Sequence, residues 1–123
     1  MMIAYPIIAV ENCKDEIQYY QSVLGGEITI LRKQGDDVLN ADLKVDGAVL
    51  KFSDTRAARP TIRGDYVRVF LQIDTEDDYR RIYGEFATGG TIHTEIYEAP
   101  FNGLLGIVSD RNCVSWVLSY YRS

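Results

Sequence analysis

Ala41-Asp42-Leu43-Lys44-Val45-Asp46-Gly47-Ala48-Val49-Leu50-Lys51-Phe52-Ser53 is the stretch whose reading decides the fold. Successive side chains of a β-strand point to opposite faces, and Asp-Gly between two such runs is a tight hairpin turn. The stretch therefore predicts strands over 38–45 and 48–53 joined at Asp46-Gly47. Ala41, Leu43, Val45, Leu50 and Phe52 fall on an apolar face. Asn40, Asp42, Lys44, Lys51 and Ser53 fall on a polar one.

Towards the N-terminus, the apolar run Ile3 to Val10 predicts a strand, with Pro6 confining it to a sheet edge or a strand start. Asn12 is placed to cap a helix that carries Asp15 and Glu16 in its first turn. Ile17, Tyr20 and Leu24 follow at helical spacing with Val23 alongside, and Gly25-Gly26 stops the helix. Glu27 to Leu31 is a further strand, and Gly35-Asp36-Asp37 a turn.

Beyond the quoted stretch, 54–64 contains Pro60, Gly64 and three arginines and reads as an exposed connection. Then the pattern returns. Tyr66 to Asp74 is a strand, Thr75 an N-cap followed by Glu76, Asp77 and Asp78, and a helix runs towards Phe86 before Gly89-Gly90. Thr91 to Tyr97, Leu104 to Ser109 and Val114 to Tyr120 complete the set, with turns around Pro100 and at 110–113. Val67, Val69, Leu71, Ile73, Val114, Trp116 and Leu118 share the expected core face; Arg68, Phe70, Gln72, Ser115, Val117 and Ser119 share the other, as do Tyr5, Ile7 and Ala9 in the first half. Both halves thus read βαβββ, the second helix one residue longer, and a repeat of this kind fixes the architecture. The expected fold class is α+β: one domain across 1–123, with a first module over about 1–54, a linker over about 55–64 and a second module over about 65–123. Helices cover the apolar faces. The polar faces either stand in solvent or, if the curved mixed sheets wrap round them, line a cleft suited to a small molecule.

Composition narrows the partners. With 123 residues, a net charge of −5 and 25% charged residues, the chain is an ordinary globular domain without the basic surplus that nucleic acid or an anionic membrane demands. Neither cysteine, Cys13 nor Cys113, sits in a Cys-x-x-Cys or near a histidine cluster, so two free thiols are expected, with a disulfide or a reactive thiol as alternatives. No secretory leader and no membrane span are read, which implies a cytoplasmic protein.

The order of four segments adds a resemblance. Tyr19-Tyr20-Gln21-Ser22-Val23-Leu24-Gly25-Gly26-Glu27, Ala41 through Asp54, Gly106-Ile107-Val108-Ser109-Asp110 and Val114-Ser115-Trp116-Val117-Leu118 are together similar to the vicinal oxygen chelate superfamily, in its PhnB-like branch of glyoxalase/bleomycin-resistance proteins. The resemblance implies paired βαβββ modules, a homodimer and, in metal-dependent members, four ligands from the first and last strands of each module. Carried over, these slots fall on Tyr5, Lys51, Arg68 and Val117, none of them a usual ligand of a divalent cation. His93, the one histidine, lies outside them and reads as a half-exposed strand residue. Where the PhnB-like pattern has Phe-Trp-Gly this chain has Phe101-Asn102-Gly103, and where it has Phe-Gly in the last hairpin this chain has Asn112-Cys113, with Asn112 suited to the left-handed turn position.

The function expected from these residues is metal-free binding of a small molecule with an anionic group, without a cofactor. Tyr5, Asp42, Lys44, Lys51, Arg68, Phe70, Gln72 and Phe101 are the candidate ligand-binding residues. Solvation, or a salt bridge between Lys51 and Asp42, is the plainer account of those charges. The competing functions are a metal-dependent lyase, isomerase or dioxygenase, and a dimeric interaction protein without a ligand. A metal-free enzyme would need Asp42 or Tyr5 to act as acid or base. The methyltransferase name sometimes attached to PhnB-like chains finds no Gly-rich cofactor loop here.

Overall fold

The computed structural model describes residues 1–57 and 61–122. Pro60 and part of the expected linker lie outside the described residues. The chain divides into two compact units, Met1–Ile62 and Arg63–Ser123.

In the first unit, β1 (Ile7–Val10) leads to α1 (Cys13–Leu24), then to β2 (Glu27–Gln34), β3 (Asp37–Val45) and β4 (Ala48–Asp54), followed by a single 3₁₀ turn at Thr55–Ala57. The sheet order is β1-β4-β3-β2, with β1 parallel to β4 and the other pairs antiparallel. The second unit repeats it: β5 (Val69–Gln72), α2 (Glu76–Ala87), β6 (Thr91–Ala99), β7 (Gly103–Ser109) and β8 (Ser115–Tyr121) give the order β5-β8-β7-β6. The chain is therefore α+β, a βαβββ pattern twice, with two four-stranded mixed sheets.

Each core lies between helix and sheet. In the first unit Cys13, Ile17, Tyr20 and Val23 bury one stripe of α1 against Ala41, Leu43, Leu50 and Phe52. The Tyr20 and Phe52 rings sit 4.9 Å apart. In the second, Tyr79, Ile82, Tyr83 and Phe86 line α2 against Leu104, Val108, Trp116 and Leu118. Phe86 stacks on Trp116 at 4.8 Å, and the Tyr79 hydroxyl donates to the Leu118 carbonyl at 2.9 Å. Burying each such side chain contributes about 1.5–3 kcal/mol.

The repeat extends to atomic detail at the second glycine of each pair. A Cβ on Gly26 would lie 2.3 Å from the Lys44 carbonyl oxygen, and one on Gly90 would lie 2.1 Å from that of Ser109. Both glycines let the chain leaving the helix press against the backbone of the next strand but one, which no larger residue permits.

Several expectations are corrected. β1 begins at Ile7 rather than Ile3, and β5 covers only Val69–Gln72, because each pairs with its parallel partner only over four residues. Val67, expected in the core, is 88% exposed. The two helices are equal, 12 residues each; the extra residue of the second half is Thr88, which follows α2 as its C-cap. Thr75 caps α2 as expected, its hydroxyl accepting from the Asp78 N–H at 3.2 Å. Asn12 does not cap α1 with its side chain: it takes the left-handed region at φ 56°, and its amide donates to the Asp15 carboxylate. The Cys13 N–H instead donates to Asp54 at the end of β4. In the last hairpin the left-handed residue is Cys113, at φ 65°, and not Asn112.

Candidate functional site

The faces turned away from the helices carry the candidate residues, and each unit is described in turn. In the first, cross-strand register places Asp42 of β3 opposite Lys51 of β4, with Ile7 of β1 on the far side of Lys51. The Lys51 ammonium donates to both Asp42 carboxylate oxygens, at 3.2 and 3.0 Å, and lies 5.4 Å from the centre of the Tyr5 ring. Asp42 is buried while the Lys51 side chain keeps 34% of its surface open to solvent. Tyr5, Asp42 and Lys51 thus form one cluster. Lys44 points into solvent and makes no ion pair among the described residues.

In the second unit the strand alternation puts Phe70 and Gln72 of β5 beside Val117 and Ser119 of β8. Phe70 is 54% exposed. Arg68 precedes β5 and pairs with Asp65 at 3.7 Å, with both side chains about half exposed, so the pair contributes little. Phe101 stands in the turn before β7 and packs on the ring of Tyr121 at 4.5 Å.

A further cluster escapes the sequence reading. Between Ile92 and Thr94 the β6 ladder slips, two steps on β6 against one on β7, which leaves His93 as an extra, unpaired residue. A β-bulge of this kind re-aims a side chain. The His93 Nε2 comes 2.7 Å from the Ser109 hydroxyl, which lies 2.9 Å from the Ser115 hydroxyl. With Arg63, Asp65 and Thr91 these residues border a pocket of about 310 Å³. Nothing in the local sequence marks a bulge, since His93 and Thr94 are both compatible with a regular strand.

No family model matches the chain, and no curated protein does. Solved structures do. A protein from Pseudomonas aeruginosa superposes with a TM-score of 0.83 at 20% identity, over 100% of both chains. A PhnB protein from Bacillus cereus, described as a 3-demethylubiquinone-9 3-methyltransferase, gives 0.74 at 18% identity, over 97% of this chain and 99% of its own. A glyoxalase/bleomycin resistance protein/dioxygenase family enzyme from Burkholderia phytofirmans gives 0.73 at 14%, over 96% and 97%. The fold is glyoxalase-like. The resemblance read from the four segments is therefore matched at the level of architecture over the whole length.

Metal-dependent members of the glyoxalase-like fold suggest a test of the slot residues. In the first unit the slots hold a phenol and an ammonium, and the neighbouring Asp42 carboxylate has both oxygens engaged by Lys51. In the second they hold a guanidinium and the apolar Val117. Among the described residues no three His, Cys, Asp or Glu side chains gather where a metal could sit. These residues do not fit a divalent cation, which needs anionic or neutral lone-pair donors.

Proposed function

We propose that this glyoxalase-like chain binds a small molecule bearing an anionic group, without a metal. The two units would act as modules of one cytoplasmic domain, and the ligand would use the helix-free faces that carry Tyr5, Asp42 and Lys51 in one unit and Arg68, Phe70, Gln72 and Phe101 in the other. Lys44 would contribute only long-range charge. The observation that carries this reading is the fixed geometry of Lys51. Two of its three N–H bonds are spent on Asp42, which leaves one donor held in place on an open sheet face. A cation ordered in advance spares a ligand the cost of ordering it. Asp42 tempers the attraction by its own charge, so the affinity expected is modest.

Native mass spectrometry and thermal shift with a panel of carboxylates and phosphates test the reading. A ligand found this way should lose about tenfold or more in affinity in Lys51→Ala/Arg68→Ala protein. Unchanged affinity would remove these residues from the site. A stoichiometric Ni, Zn, Fe or Mn in protein purified without a tag would replace the reading with a metal-dependent lyase, isomerase or dioxygenase.

A second reading, a homodimer whose interface is the function, is favoured by the large apolar side chains left open, Ile7 at 64% and Phe70 at 54% among them. Exposed apolar side chains of this size mark interaction surfaces where they adjoin one another.

A further inference from the structure

We propose that the outer edge of β2 is where two copies of this chain pair, antiparallel and about a two-fold axis through Thr29. The inference rests on the homodimer reading, names its surface, and uses residues of the first unit alone.

β2 stands last in the sheet order β1-β4-β3-β2, so its outer side has no neighbouring strand in that sheet. Such an edge is a template for a further strand. Every residue of β2 is exposed except half-buried Ile28, and Ile30 and Leu31 keep 49% and 56% of their surface open. Lys33 and a bulge blunt the far half of the edge. Between Ile30 and Arg32 the ladder takes two steps on β2 against one on β3, from Ala41 to Asn40, which leaves Leu31 as the extra residue. At the near end Gly25 and Gly26, at φ 78° and 90°, take the chain out of extended conformation. The stretch open to an incoming strand therefore runs from Glu27 to the bulge at Leu31, with Thr29 at its centre.

That stretch is complementary to itself. Antiparallel pairing centred on Thr29 sets Ile28 opposite the copy's Ile30, and Glu27 opposite the copy's bulge. Ile28 and Ile30 are the register partners of Leu43 and Ala41 and so lie on the helix-covered face, where the two chains would join them into one apolar strip. Glu27, Thr29 and Arg32 are the partners of Lys44, Asp42 and Asn40 and share the other face. A regular strand would hold Glu27 and Arg32 on opposite faces; the bulge turns them to the same one. Each Glu27 then meets the copy's Arg32, once at either end of the ladder by symmetry. Neither makes an ion pair within its own chain among the described residues. The two Thr29 side chains meet on the axis, a cross-strand pair that sheets favour.

The other outer strands offer no such match. β1 and β5 carry no charged residue, and β6 carries Glu95 and Glu98 without a lysine or arginine, so nothing on them orients a copy by charge. Pairing through β2 would join two four-stranded sheets into one. Each β2 is then spent on its copy, and the assembly closes at two chains. So short a ladder makes a weak, reversible dimer.

Sedimentation equilibrium across the micromolar range tests the edge. Glu27→Lys and Arg32→Glu each make both end pairs repulsive, and each should raise the dissociation constant about tenfold or more. Mixed in equal amounts, the two variants should return to the two-chain mass, because a Glu27→Lys chain and an Arg32→Glu chain are complementary at both ends. Circular dichroism checks that each variant is folded. Thr29→Cys/Cys113→Ser protein should be joined by a short bismaleimide, its one other thiol being the buried Cys13. With wild-type protein dimeric, variants that stay dimeric, a mixture that stays monomeric, or a Thr29→Cys thiol that does not cross-link would each overturn β2 as the interface and leave the homodimer reading standing. Wild-type protein of single-chain mass would overturn both.

Discussion

Asp54 ties the end of β4 to the start of α1. Its carboxylate accepts from the Cys13 N–H at 3.0 Å, the Arg56 N–H at 2.9 Å, and the Arg56 side chain at 2.9 and 3.1 Å. The Arg56 side-chain bond, followed by these backbone bonds, holds its carboxyl well below the usual carboxylate range against the opposing effect of burial. Asp54→Ala is expected to lower stability by about 2 kcal/mol at neutral pH, through the lost cap and the lost bonds. In the unfolded chain Asp54 takes up its proton near pH 3.9, roughly, whereas the folded form does so only at lower pH. The stabilisation is therefore complete above that value and lost as pH falls through the folded pKa. Urea titrations should show the wild-type advantage constant down to about pH 5 and shrinking below about pH 4; an advantage that is equally large throughout would assign it to something other than the carboxylate. Cys113, at φ 65°, carries a Cβ in a region that costs non-glycine residues about 1 kcal/mol. Cys113→Gly should raise the urea midpoint, by somewhat less than that figure implies because glycine also loosens the unfolded chain; a lower midpoint would mean the Cys113 side chain contributes more than its backbone costs. The two thiols should also differ. Cys13 is fully buried and its thiol is pushed up to about 11, by burial first and by Asp54 second. Iodoacetamide should label exposed Cys113 in native protein and Cys13 only after unfolding.

At the scale of elements, the β7–β8 hairpin is closed by Asp110. Its carboxylate accepts from the Asn112 N–H at 2.8 Å, the Val114 N–H at 3.2 Å and the Trp116 indole at 2.8 Å. Asp110→Ala would leave the buried indole N–H without that acceptor and should cost about 2–3 kcal/mol, read from chemical denaturation followed by the fluorescence of the single tryptophan. Such ties explain what the sequence could and could not show. The alternation of Leu43, Leu50 and Phe52 against Asp42 and Lys51 exposed the strand faces, because a period of two is a local property. The Asp42–Lys51 bridge was legible too, since a two-residue turn fixes which residues stand opposite. The ends of β1 and β5 were not, because they are set by partners that arrive from the far end of each unit. The Asn12 cap failed for the same reason: a carboxylate from β4 took the role its own side chain was suited for. The His93 cluster needs a bulge and three strands in register, and no window of neighbouring residues contains that information.

At the scale of the molecule, the chain is two units of the same order with different open faces, one holding a locked ion pair and the other a hydroxyl row. Among the described residues no helix is long and apolar enough to cross a membrane. Sedimentation equilibrium is expected to give twice the 14.0 kDa chain mass, as the proposed homodimer requires; a single-chain mass across the micromolar range would set that proposal aside and with it the interface reading. The sheet orders carry one more consequence, and it concerns time. In both units three strands follow one another as hairpins, while β1 and β5 must return to β4 and β8 across the length of their units. Contacts between distant residues close last because their loops cost the most entropy before any bond rewards them. The meanders β2-β3-β4 and β6-β7-β8 should therefore form early in refolding, with β1 and β5 docking late. Mutations at Ile8 and Leu71 should then speed unfolding and leave the refolding rate nearly unchanged, while Leu43 and Val108 should slow refolding. The serine pair that borders the pocket would be in place before Phe70 arrives beside Val117.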